Sequence, residues 1–101
     1  MKFVLFYESA DDGMTKAPKF FPDHWARCQE FHGRGLLLMV GTFEDPLTQG
    51  SMGIFTSREA AEEFATDDPF VLNGVVARWE VRGWNESLAS ADPDHGAGTG
   101  S

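Results

Sequence analysis

Residues 2 to 8, KFVLFYE, carry apolar side chains on both faces, the pattern of a strand covered from both sides. SADDG follows as turn chemistry. Pro18 and Pro22 each bias the residue before them away from helix, so the segment up to Phe21 is expected to be a loop. A helix is expected from Pro22, which suits a first helical position, to His32, with Gly33 or Gly35 as its stop. Phe21, Trp25, Cys28 and His32 share one face of that helix, and Arg27, Glu30 and Arg34 mark its solvated side. GLLLMVGTF at 35 to 43 reads as a second buried strand, and EDPLTQG as a hairpin connection to a third strand, SMGIFTS. Thr56 and Glu59 have the spacing of a capping box at the head of a second helix, whose apolar stripe is Ala60, Ala61, Phe64 and Ala65. Residues 74 to 84, GVVARWEVRGW, alternate as a fourth strand.

The order βαββαβ implies an α+β, ferredoxin-like domain: a four-stranded antiparallel sheet with two helices on one face. Leu36, Leu38, Val40, Val76 and Trp79 exceed what two short helices can cover, so a second copy is expected on the open face, giving a homodimeric α+β barrel. The domain is expected to occupy residues 1 to 86. Beyond it, residues 87 to 101 lose hydrophobicity and gain Gly, Ser and Asp, as a mobile tail does.

With 101 residues, 42% of them hydrophobic, the chain can build one small core and not two. Nine Phe and three Trp are a heavy aromatic load for that length, which favours an oligomer or an apolar pocket. Sixteen acids against eight bases give a formal charge of −8 with no basic cluster, so nucleic acid is excluded as a partner. One cysteine cannot form an internal disulfide, and the apolar run before Glu8 is too short for a signal or membrane segment. The expected location is cytoplasmic, with no membrane partner.

Asp67, Asp68, Pro69 and Phe70 follow the second helix, where a turn needs only one breaker. Two acids at a helix C-terminus oppose its dipole, which suggests that one of them has a partner elsewhere. His24 lies in the first turn of the expected first helix. There the positive helix end favours the neutral imidazole that a general base requires, while Asp23 acts in the opposite sense. The plain alternatives are a helix-start histidine without a role and an acid pair that only ends a helix. His24, Cys28 and His32 share a helical stripe, but helix-borne zinc sites recruit a further ligand pair and none exists here, so core packing explains Cys28 better and no metal site is assigned. Gly33-Arg34-Gly35 leads from helix to strand, the reverse of a phosphate-binding turn. No Gly-x-Ser-x-Gly elbow and no haem-ligand motif occurs. No cofactor is expected.

The Pro22-x-His24 element, Gly35-Leu36-Leu37 into a strand ending at Gly41, Ser57-x-Glu59-Ala60-Ala61, and Asp68-Pro69-Phe70 followed by Gly74 together resemble the YciI-like (YCII-related) family over residues 2 to 84. The resemblance implies a muconolactone-isomerase-like fold, a dimeric barrel, and a His-Asp pair in a pocket; by motif these are His24 and Asp68. The chain departs from the family in a shorter hairpin, Glu44 to Gly50, and an acidic tail, so pocket size and substrate do not transfer. Two functions follow. One is a cofactor-independent lyase or isomerase for a small aromatic or cyclic molecule, with His24 moving a proton, Asp68 orienting it, and Phe21, Trp25 and Phe70 binding the ring. The other is a dimeric small-molecule-binding or accessory module without turnover.

Overall fold

The computed structural model describes residues 1 to 90. It contains β1 (Lys2–Ser9), α1 (Gly13–Gly33), β2 (Leu37–Thr42), α2 (Pro46–Gln49), β3 (Ser51–Phe55), α3 (Arg58–Thr66), α4 (Pro69–Leu72) and β4 (Val76–Trp84). The strands form one sheet in the order β2-β3-β1-β4 with every neighbouring pair antiparallel, the ferredoxin-like arrangement. Most of the expected tail, residues 91 to 101, lies outside the described residues.

β1 is central and buries Val4, Leu5 and Tyr7. Alternation along the strand sends Leu5 and Tyr7 into the core with Phe31, Leu37, Phe55 and Phe64, so Val4 and Phe6 face the other way. That outer face also presents Met52, Ile54 and Trp84, which border a shallow cavity of about 340 Å³. The residues expected to form a dimer face are therefore mostly elsewhere. Val76 belongs to the core, Leu36 and Trp79 pack against it, and Leu38 and Val40 border α1 instead.

The first helix begins at Gly13, not Pro22, and absorbs the segment expected to be a loop. Pro18 and Pro22 lie four residues apart on the same exposed face, so the two hydrogen bonds that they delete fall where water can solvate the freed carbonyls. Arg27, expected in solvent, lies over the Phe31 ring and donates to the carbonyls of Phe64 (3.1 Å) and Glu63 (2.8 Å) in the last turn of α3. A cation there satisfies orphan carbonyls and pins α3 to α1.

The cap of α3 is Ser57, one residue after the expected Thr56; its Oγ accepts from the Ala60 N–H at 3.1 Å. Ala60, Ala61 and Ala65 bring α3 close to the sheet, and Phe64 fills the space beside them. The chain then stops and restarts: Asp68 caps the single turn α4, Pro69 occupies its first position, and Gly74 at φ 72° admits the bend into β4.

Candidate active site

Three elements converge on Asp68. Its carboxylate is fully buried and meets His24 Nδ1 at 2.8 Å through Oδ1 and 3.0 Å through Oδ2. From β1, the Tyr7 hydroxyl donates to Oδ2 at 2.6 Å, and the Phe70 backbone N–H donates to Oδ1 at 3.1 Å as part of the α4 cap. An ionised carboxylate only accepts, so it satisfies all of these donors, and His24 Nδ1 must carry a proton. In the neutral ring Nε2 is then the acceptor. It lies 3.6 Å from Cys28 Sγ, one helical turn along α1, where the thiol can donate to it.

The imidazole is clamped flat. Phe70 stacks on it with centroids 3.9 Å apart and planes 6° apart, and Phe64 meets it edge-on at 6.2 Å. Phe21 and Trp25, the other two aromatic residues expected at the site, stack on each other at 5.9 Å and stay about half exposed. His24 lies near the middle of α1, so the helix-end field expected to act on it is absent. Its side chain is 11% exposed, and the nitrogen expected to face an open pocket faces a sulfur. His32 stands apart, donating from Nδ1 to the Leu37 carbonyl at 2.8 Å.

Burial, and next the charge of Asp68, push the Cys28 thiol up to about 12. The same two causes push the Tyr7 phenol well above its ordinary value. Both groups are therefore protonated donors at neutral pH, one at each end of the chain Tyr7–Asp68–His24–Cys28. Cys28 was within reach of sequence reasoning, because its spacing from His24 places both side chains on one helical stripe. Tyr7 left no such signal, lying in a strand far from both partners.

A model of the YCII-related domain matches residues 1–85. The chain belongs to this family. Among proteins similar to this YCII-related chain are Protein YciI of Escherichia coli and of Shigella flexneri, each 33% identical over 92 residues, covering 81% of this chain and 94% of the relative. The fold is also similar to 5-chloro-2-hydroxyhydroquinone dehydrochlorinase (TftG) from Burkholderia phenoliruptrix AC1100, solved in complex with 2,5-dihydroxybenzoquinone. That likeness has a TM-score of 0.67 at 20% identity, covering 86% of this chain and 96% of the dehydrochlorinase. Among the described residues, no helix is long and apolar enough to cross a membrane.

Proposed function

We propose that this YCII-related protein is a cofactor-independent lyase or isomerase acting on a small aromatic or cyclic molecule, with His24 as the acid/base and Asp68 as its orienting partner. The observation that carries this reading is the 2.8 Å contact between His24 Nδ1 and a fully buried carboxylate. It fixes the tautomer in which Nε2 can accept a proton, and it places a negative charge where the imidazolium forms. Nε2 takes a proton from a carbon beside a carbonyl or from a ring hydroxyl. Returning that proton to another carbon isomerises the substrate; keeping it while a leaving group departs with its electron pair eliminates the elements of an acid. Neither route changes the redox state. That a protein of similar fold is named a dehydrochlorinase of a hydroxyhydroquinone supports the class of molecule.

The test is turnover of a panel of halogenated hydroquinones, substituted phenols and lactones by the wild type and by His24→Asn. A substrate consumed by the wild type and spared by the variant supports the proposal; equal turnover by both overturns it. The accessory-module reading draws on one observation, the thiol that faces Nε2 in place of an open cavity. Bound ligand recovered unchanged, with no consumption across the panel, would favour it.

A further inference from the structure

Cys28 is shared between the His24–Asp68 pair and a cleft of about 310 Å³ at the sheet edge. The cleft runs between Trp25, Gln29 and His32 of α1 and residues 37 to 40 of β2. Its volume is at the small end of ligand pockets and suits one substituted ring. The walls suit a ring too. Leu37, Leu38, Met39 and Val40 supply an aliphatic side, and Trp25 supplies an aromatic one that Phe21 steadies by stacking, with planes only 11° apart.

Polar groups enter the cleft at few points. The Nδ1–H of His32 is committed to the Leu37 carbonyl, so its neutral ring offers Nε2 only as an acceptor. The Gln29 amide both donates and accepts. A hydroxyl is the group that both can take. A carboxylate or phenolate is disfavoured by the chain's charge of −8, and at the Cys28 end it would meet the burial and the Asp68 charge that hold the thiol protonated.

We propose that this cleft is the ring-binding subsite beside the His24–Asp68 pair, and that it takes a neutral monocyclic phenol, ring against Trp25, hydroxyl toward Gln29 and His32, and far edge on Cys28. Its link to chemistry rests on the enzyme reading above; binding itself does not. The test is a two-dimensional NMR titration of the full chain with 4-chlorophenol and, separately, with 4-chlorobenzoate. Saturable shifts at the Trp25 indole N–H and the amides of residues 38 to 40 are expected, with the benzoate weaker by at least roughly tenfold. Trp25→Ala should weaken 4-chlorophenol by roughly three- to tenfold. Trp25 is exposed, so this variant should fold. Gln29→Leu should weaken the phenol while leaving chlorobenzene unchanged. His24→Asn should still bind, which separates this proposal from the enzyme reading. Binding kept without turnover removes only the enzyme; turnover kept with shifts elsewhere removes only the subsite. Shifts centred on Trp84 or Trp79, equal affinity for phenol and benzoate, or no saturable shift would overturn the proposal.

Discussion

Asp68 sits where an acid is hardest to tolerate, fully buried without Lys or Arg bound to it, and it is held by donors from a strand, a helix and its own turn. An Asn in its place would bring an NH₂ group to one side. If that group faces His24, Nδ1 becomes the acceptor and the proton moves to Nε2, the wrong tautomer for a base. Asp68→Asn is thus expected to lower turnover by roughly 10²- to 10⁴-fold with the fold intact. Nitrogen-15 shifts of the His24 ring report the tautomer directly, and an Nδ1–H ring in the variant would contradict the account. Cys28 gives a second expectation. With its thiol raised to about 12 and buried, iodoacetamide at pH 8 should label it far more slowly than free cysteine, and rapid labelling of the folded protein would contradict the burial. The contact between His24 and Asp68 was expected through the family resemblance, whose Pro-x-His and Asp-Pro-Phe motifs are local. Tyr7 was not: its chemical role arises only when β1 is laid beside α4, and no local pattern encodes that contact.

The four strands were legible at the level of elements, because KFVLFYE is a short run apolar on both faces and GVVARWEVRGW alternates, and both patterns are local. α1 was read too short because proline rules are local, whereas the cost of a missing hydrogen bond depends on which face of the helix it falls. α4 is a single turn, too short to show any period. The start of β1 and the end of its edge neighbour β4 are joined by ion pairs: Glu86, just past β4, meets the N-terminal amine at 3.1 Å and Lys2 at 2.9 Å. Hydrogen bonding from Lys2 is the first cause that lowers the Glu86 carboxyl from 4.5 to about 2. A carboxylate with a depressed folded-state value stabilises the fold above its unfolded value and loses that contribution as pH falls through the folded one. Glu86→Gln should therefore slightly lower the melting temperature at pH 7, with the difference from wild type shrinking from about pH 4.5 and gone below about pH 2. A difference unchanged at pH 2 would show that the effect is not the ion pair.

For the whole molecule, the outer sheet face is the feature that one chain leaves unfinished. Val4, Phe6, Met52, Ile54 and Trp84 cluster there, whereas α1 and α3 pack into the core on the other side. We propose that a second copy covers it, through these side chains and not through Val76 or Trp79, which the sequence had pointed to. Light scattering should give a dimer at micromolar concentration, and Ile54→Arg should shift it to monomer while circular dichroism is preserved; a wild-type monomer would end the proposal. The sheet order has one further consequence. β1 pairs only with β3 and β4, so the first strand to be synthesised has no neighbour until residue 51 is made and only one until residue 76. A chain emerging from a ribosome must carry Tyr7 and its apolar neighbours in β1 unpaired until β3 is made, and completes the sheet only when β4 follows.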